Sequence, residues 1–179
     1  MHDCVPSAPP TPDWSYGERM TEQSPAVTVS HPPEGVLRVV NPALKFLLRT
    51  PLAGPARRQL MVLSFKGRKT GNPYSIPVSA HRIDNQLYAL AGAPWTRNFR
   101  GGAAAEVLLE GKTTKMRGEL VEDPAAVADL SHRCAESYGV KKAQRMMGLA
   151  FRDQRVPTVE EFKEAAERER LVAVRLTPA

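Results

Sequence analysis

The sequence is poor in three features that would each define a class of protein. Cys4 and Cys134 are its only cysteines in 179 residues, too few for a disulfide framework. No apolar run approaches the ~20 residues that a membrane-spanning helix needs. The opening MHDCVPSAPP lacks the basic start and continuous apolar stretch of a signal peptide, so we expect a cytoplasmic protein.

The sequence also lacks the motifs of several common active sites. The spacing of a Walker phosphate-binding loop is absent, and so is a Gly-x-Ser-x-Gly nucleophile elbow. His81 and His132 have no cysteine or carboxylate partners at metal-ligand spacing, so no metal site is predicted. Cys134 falls on the apolar side of a predicted helix, and we expect it to be buried.

Acidic residues are missing where basic residues are dense. Residues 35–83 hold nine Lys or Arg and no Asp or Glu. Such a stretch indicates an anionic partner, which can be a phosphorylated cofactor, an anionic substrate, an acidic lipid surface or nucleic acid. Nucleic acid fits least well, because the stretch has no aromatic ladder for single-stranded bases and no helix-turn-helix pattern.

Composition divides the chain into two regions. Residues 1–34 contain seven of the 16 prolines, and we expect them to form a flexible tail, with Met20 as an alternative start of translation. Residues 35–179 are long enough for a single domain with one core.

Turn signals and apolar patterns predict the elements of this domain. Two strands form a hairpin with the tip GRKTG, and four more strands and four helices follow from periodicity and capping residues. The strands are QLMVLSF, YSIPVSAH, QLYALAG, AEVLLEG, KTTKMRGELVE and LVAVRL; the helices are residues 41–49, the segment from Asp123 to Gly139, a segment carrying Met146, Met147, Ala150 and Phe151, and one capped by Thr158 and Glu161. The order predicts an α+β domain built on a barrel-like, mainly antiparallel sheet with flanking helices.

The predicted hairpin tip is the first candidate binding site. Arg68, Lys69 and Thr70 stand between Gly67 and Gly71, where their charges and hydroxyl can hold a phosphate. The same composition also suits an ordinary solvated turn.

Four other positions have a functional interpretation. Pro77 has no amide for a strand ladder, which places it at a sheet edge or beside a gap that admits a flat ring. Trp95 and Asn98 can pack on and orient a ligand, although Trp95 also suits a core position. Tyr138, next to Gly139 at a helix end, can donate a proton from a cleft wall or simply cap the core.

Taken together, LSFKGRKTGNPYSIPVSAH, QLYALAGAPWTRNF and AEVLLEGK resemble the deazaflavin-dependent nitroreductase family, relatives of the pyridoxamine-phosphate oxidase split β-barrels. The resemblance covers about residues 36–138. It implies a split β-barrel that binds coenzyme F420, a deazaflavin. It also implies hydride transfer from the reduced deazaflavin to a quinone, nitro compound or activated alkene.

The resemblance implies where this cofactor binds. The hairpin tip would hold its phosphate and tail, the next strand would run along the deazaflavin, and a later strand end with its loop would complete the site. These cofactor-binding residues are Arg68, Lys69, Thr70, Tyr74, Ser75, Ile76, Pro77, Val78, Ser79, Leu90, Ala91, Gly92, Trp95, Arg97 and Asn98. Tyr138 falls near a family tyrosine that lines the acceptor pocket, and Tyr138 and Ser79 are the predicted catalytic residues.

Two alternatives remain open. The same barrel can use FMN, which is also a phosphorylated tricycle, or it can be a non-catalytic module that binds a cofactor or acidic lipid. The basic face of residues 38–49 suits weak contact with the inner face of a membrane. The expected partner is a small-molecule hydride acceptor, and the expected assembly is a monomer or a homodimer.

Overall fold

The computed structural model describes residues 24–30, 46, 50, 54 and 56–179. Apart from the exposed Phe46, the helix expected over residues 41–49 lies outside them. In chain order the elements are β1 (Val27–Val29), α1 (Ala56–Gln59), β2 (Leu60–Lys66), β3 (Pro73–Ser79), β4 (His81–Ile83), β5 (Gln86–Ala91), a 3₁₀ helix (Pro94–Phe99), β6 (Ala103–Leu109), β7 (Lys112–Val121), α2 (Pro124–Tyr138), α3 (Val140–Met147), β8 (Leu149–Phe151), α4 (Val159–Glu169) and β9 (Val172–Pro178).

Seven of these strands form one antiparallel sheet in the order β3-β2-β6-β7-β9-β5-β4. The sheet curls until β3 comes into contact with β5, which makes it a half-barrel. The remaining two strands, β1 and β8, pair as a separate antiparallel ribbon. The predicted α+β split barrel with flanking helices is therefore confirmed.

The sheet and the helices each contribute a layer to the core. Alternate residues of β2 face the inside of the half-barrel, where Met61, Leu63 and Phe65 pack with the fully buried Phe99. A second cluster lies between α2, α4 and the β1–β8 ribbon, and Phe162 is at its centre. None of the helices in the described part of the chain has the length and apolar content of a membrane crossing.

The helix and turn signals in the sequence are confirmed where they are local. The Asp123 carboxylate accepts a hydrogen bond from the Ala126 amide at 3.0 Å and begins α2. Thr158 and Glu161 form the predicted capping box of α4. Asp84 and Asn85 adopt φ values of 48° and 60°, which suit the tight two-residue turn between β4 and β5.

β3 is an edge strand, as Pro77 requires. Two backbone hydrogen bonds bracket the hairpin, from Gly67 N–H to Asn72 O at the tip and from Ala80 N–H to Gln59 O at the far end. Hydrogen-bonded pairs alternate along an antiparallel ladder, so the nitrogen of Pro77 points away from β2. The ladder therefore loses no hydrogen bond at Pro77, and the register runs through it without a gap.

The predicted helix that carries Met146, Met147, Ala150 and Phe151 ends earlier than expected. Gly148 takes the left-handed conformation with φ 66° and ends α3 directly after Met147. Ala150 and Phe151 lie on β8, where Phe151 is buried and Ala150 is exposed. The apolar residues at 146, 147, 150 and 151 have the spacing of one helix face. The first two end α3 and the last two lie on β8, because a strand that follows a helix can continue the same spacing.

Part of the expected tail is integrated into the fold. β1 pairs with β8, and Val27 is only 1% exposed. The Ser30 amide donates to the Gly148 carbonyl at 2.9 Å, and the Arg152 guanidinium donates to the Ser24 carbonyl at 2.7 Å. The expected boundary at residue 34 therefore does not hold for residues 24–30, because burial of Val27 and these hydrogen bonds offset the entropy of ordering them.

Candidate functional site

The hairpin tip is docked against the 3₁₀ helix. The Arg68 amide donates to Asn98 Oδ1 at 2.8 Å, and Arg68 Nη1 donates to the Arg100 carbonyl at 3.0 Å. Asn98 Nδ2 in turn donates to the Trp95 carbonyl at 2.8 Å. The structure thus brings together Arg68, Trp95 and Asn98, and it uses the Asn98 carboxamide to hold the tip in place.

The tip itself is tightly built. A Cβ atom at Gly67 would lie 2.7 Å from Tyr74 Cε2 and 2.9 Å from Thr70 Oγ1, so a larger residue here would displace these two side chains. Thr70 Oγ1 accepts a hydrogen bond from the Asn72 amide at 3.3 Å. Lys69 is exposed and projects its charge from a fixed turn.

Aromatic rings line the barrel beneath the tip. The Phe65 ring stacks on Tyr74 at a centroid distance of 5.5 Å and also contacts Trp95 and Phe99 at 6.2 and 5.0 Å. Tyr74 is paired with Phe65 across the hairpin, but it is 43% exposed because it lies at the tip end. Trp95 is half-buried and packs against the barrel core, so its contacts are those of a core residue.

The rest of β3 divides its side chains between two faces. Ile76 and Val78 are half-buried against the barrel core. Ser75, Pro77 and Ser79 are on the other face, where Ser75 Oγ lies 2.8 Å from Ser64 Oγ. Ser79 is half-buried at the end of the strand, opposite Leu60.

A cavity of about 620 Å³ lies beyond this end of β3. We call it the Tyr138 cavity. Its described lining includes Arg58, Gln59, Ala80, Tyr138, Lys142 and Met146. This lining has two cationic side chains and no acidic one. Tyr138 is in the described lining of this cavity. Ser79 is not, although the next residue, Ala80, is.

Tyr138 belongs to a cluster of neutral polar groups behind the cavity. Its hydroxyl lies 3.4 Å from the Ala80 carbonyl and 3.3 Å from His81 Nδ1. Cys134 Sγ is also 3.3 Å from His81 Nδ1. On the opposite side, Lys142 Nζ lies 4.7 Å from the centroid of the Tyr138 ring, within the range of a cation–π contact.

Burial keeps this cluster uncharged. It lowers the pKa of His81 to about 4 and raises the pKa of Cys134 to about 11. It also raises the pKa of Tyr138, and the neighbouring Cys134 adds to that shift. Cys134 is buried, as predicted. Sequence reasoning missed the buried position of His81; the available signal is that His81 and Ile83 share the buried face of β4, with the exposed Arg82 between them.

Leu90, Ala91 and Gly92 line a different cavity. It has a volume of about 340 Å³ and lies between β5, β1 and the helices, with Ser131 and Met147 in its wall. A Cβ atom at Gly92 would be 3.2 Å from the Glu169 carbonyl, which shows how closely this strand end packs on the end of α4. The structure therefore does not bring these three residues into the described lining of the Tyr138 cavity.

Arg97 is separated from the tip as well. Its side chain is exposed on the 3₁₀ helix and lines a third cavity, of about 360 Å³, together with Arg100 and Glu122. The Arg100 and Glu122 side chains form an ion pair there. Arg97 can contribute positive charge to this surface, but its contacts are not shared with Arg68 or Lys69.

Comparison with known proteins gives similarity of architecture at low sequence identity. No family model matches the chain, and no curated protein matches it. A conserved hypothetical protein from Mycobacterium tuberculosis is 14% identical, with a TM-score of 0.42 over 88% of this chain and 86% of that one. A structure described as an F420 reductase is 15% identical, with a TM-score of 0.37 over 75% and 92% of the two chains.

A third similar structure is a pyridoxamine 5'-phosphate oxidase-related, FMN-binding protein from Nostoc punctiforme. It is 12% identical, with a TM-score of 0.37 over 78% of this chain and 80% of that one. The cofactors in these descriptions are those of the other proteins.

Proposed function

We propose that this protein is an oxidoreductase that binds a phosphorylated tricyclic cofactor, coenzyme F420 in the first place, and reduces a quinone, nitro compound or activated alkene. The observation that carries this proposal is the arrangement at the two ends of β3. The basic tip lies at one end, and the Tyr138 cavity lies beyond the other. Seven residues of strand span roughly 20 Å, which suits a cofactor that is held by its phosphate at the tip and extends its ring along β3 toward the cavity, where an acceptor would meet it.

The residues at both ends fit such a cofactor. Lys69 and Arg68, with the Thr70 hydroxyl, would hold the phosphate at a turn whose backbone is already fixed by Asn98. A volume of about 620 Å³ is in the usual range for a small-molecule site, and the described lining opposes no negative charge to an anionic ligand. When bound, a reduced deazaflavin supplies a hydride, and reduction of a quinone needs one further proton.

The chain's own contribution would be position and hydrogen bonding. The raised pKa of Tyr138 keeps its hydroxyl protonated at neutral pH. In our proposal this phenol acts as a hydrogen-bond donor to an oxygen that gains negative charge, for which it must exchange its contact with Ala80 or His81. Ser79, adjacent to Ala80, would be a second donor.

Direct titration tests the cofactor. Purified protein is titrated with coenzyme F420 and, separately, with FMN, and binding is followed by ligand fluorescence. We expect Lys69→Ala to weaken F420 binding by about 1 to 3 kcal/mol, since a charge-assisted hydrogen bond to the phosphate is lost. Arg68→Ala should also weaken it, and part of that effect would come from its contact with Arg100.

Lys163→Ala is the matched control, because Lys163 is an exposed lysine on α4, outside the described lining of the Tyr138 cavity, and should leave affinity unchanged. If Lys69→Ala and the parent protein bind F420 with equal affinity, the tip is not part of the cofactor site. Tighter binding of FMN than of F420 would show that the cofactor is the flavin. If neither cofactor binds while acidic vesicles do, the protein is the non-catalytic module.

A further inference from the structure

We infer that the Tyr138 cavity takes a planar acceptor that carries an anionic group, a carboxylate or sulfonate beside its reducible ring, and that Arg58 and Lys142 select it. This inference rests on the proposed function, because it names the acceptor class for the same site.

Two cations approach the cavity from different elements. Arg58 comes from α1, directly before β2, and Lys142 comes from the first turn of α3. Both side chains are exposed, and neither forms an ion pair with any residue in the described part of the chain. Two unpaired cations that share one cavity wall provide a binding site for one anionic group.

The other described groups around the cavity do not neutralise these cations. Behind it, His81, Cys134 and Tyr138 are uncharged at neutral pH, for the reasons given above. Glu110 lines an adjacent hollow together with Arg57 and Arg58, but no ion pair joins Glu110 to Arg58 in the described part of the chain. The Glu110 carbonyl is bonded to Arg57, the neighbour of Arg58, at 2.8 Å.

The remaining walls suit a flat ring. Tyr138, Met146 and Ala80 supply aromatic and aliphatic surface. Lys142 Nζ lies 4.7 Å from the centroid of the Tyr138 ring, so the ammonium is held beside the aromatic wall that a flat ligand would contact. A ligand with an anion at its ring edge would satisfy both features at once, whereas an uncharged ring would use only the apolar walls.

The test compares two probes of equal shape that differ in charge. Cofactor-free protein is titrated calorimetrically with 2-naphthoate and with 2-naphthamide at low salt. We expect the carboxylate to bind at least tenfold more tightly. Lys142→Gln and Arg58→Gln should each weaken naphthoate binding about tenfold and leave naphthamide unchanged.

Lys141→Gln is the matched control. It removes the same charge from the adjacent residue of α3, which is exposed and outside the described lining of the cavity. Its naphthoate affinity should equal that of the parent protein. Equal binding of the two probes, or an equal loss in the Lys141 and Lys142 variants, would overturn the inference.

A second experiment tests whether the two cations bind the acceptor or the cofactor. The anionic quinone 1,4-naphthoquinone-2-sulfonate should have a higher kcat/KM than 1,4-naphthoquinone with reduced coenzyme F420, and Lys142→Gln should abolish the difference. Competitive displacement of naphthoate by oxidised F420 would assign the cations to the cofactor and overturn the acceptor assignment. If F420 does not bind but naphthoate shows the expected charge preference, the proposed function fails and the anion selectivity of the cavity stands.

Discussion

At the scale of single residues, His81 is the group whose surroundings differ most from water. Its side chain is fully buried, and its Nε2 atom has no hydrogen-bond partner in the described part of the chain. Its Nδ1 atom faces Cys134 and Tyr138, neither of which carries a charge that would stabilise an imidazolium. The neutral ring therefore holds the Tyr138 hydroxyl in place, and protonation of the ring works against folding.

This environment predicts a pH-dependent stability. The pKa of His81 is lowered to about 4 in the folded protein, below the value of about 6.5 for an unfolded chain. The stability that the protein has with a neutral His81 is thus fully present above pH 6.5 and is lost as pH falls toward 4. The full loss would be about 3 kcal/mol, since each pKa unit corresponds to about 1.4 kcal/mol.

Urea unfolding of the parent protein and of His81→Gln between pH 7.5 and 4.5 measures this effect. Glutamine stays neutral over that range, so the variant should lose less stability as pH falls. Parallel stability curves for the two proteins would show that His81 is not the group responsible.

At the scale of elements, the 3₁₀ helix acts as a clamp on the hairpin. Its Asn98 side chain accepts from the Arg68 amide and donates to the Trp95 carbonyl, so one carboxamide joins two segments about thirty residues apart. Trp95 and Phe99, on the same helix, pack on Phe65 inside the barrel. The position of the basic tip therefore depends on the 3₁₀ helix as well as on its own turn.

Asn98→Ala should loosen the tip without unfolding the barrel. We expect a loss of about 1 to 2 kcal/mol in unfolding free energy, because one exposed and one partly buried hydrogen bond disappear. The Arg68 amide should then exchange its hydrogen with solvent faster than in the parent protein. Arg97→Ala, which removes an exposed side chain from the same helix, should leave that amide protected; unchanged exchange in Asn98→Ala would argue against the clamp.

At the scale of the whole molecule, the helical layer is completed by a segment from the first part of the chain. β1 covers the cluster of α2, α4 and β8, and Val27 is its most buried residue. The Arg168 guanidinium of α4 donates to the Val27 carbonyl. Residues 24–30 therefore contribute to the stability of the helical layer, although most of the chain before them is rich in proline.

Val27→Ala tests this contribution. Removing two buried methyl groups should lower the unfolding free energy by about 1 to 3 kcal/mol in chemical denaturation. The neighbouring Thr28 is exposed on the same strand, so Thr28→Ala should change stability by less than about 0.5 kcal/mol. Equal stability of Val27→Ala and the parent protein would mean that β1 is not packed in solution.

Much of the fold could be predicted because its signals are local. Glycine, Asp-Asn and capping residues define turns and helix starts within a few positions, and alternation of apolar residues identifies the strands. Where one local pattern has two solutions, the prediction failed. The spacing at 146, 147, 150 and 151 fits a helix face, and only the left-handed Gly148 shows that the helix stops.

Of the candidate site, the sequence by itself determined the chemistry that is available: a basic glycine-bounded tip, a proline in an edge strand and a tyrosine at a helix end. Only the tertiary structure decided which of these meet. In the structure, Arg68 contacts Asn98 and Tyr138 contacts His81. Leu90, Ala91 and Gly92 line another cavity. The physical reason is that strand order and sheet curvature result from packing between distant segments, and no local pattern of residues encodes that packing.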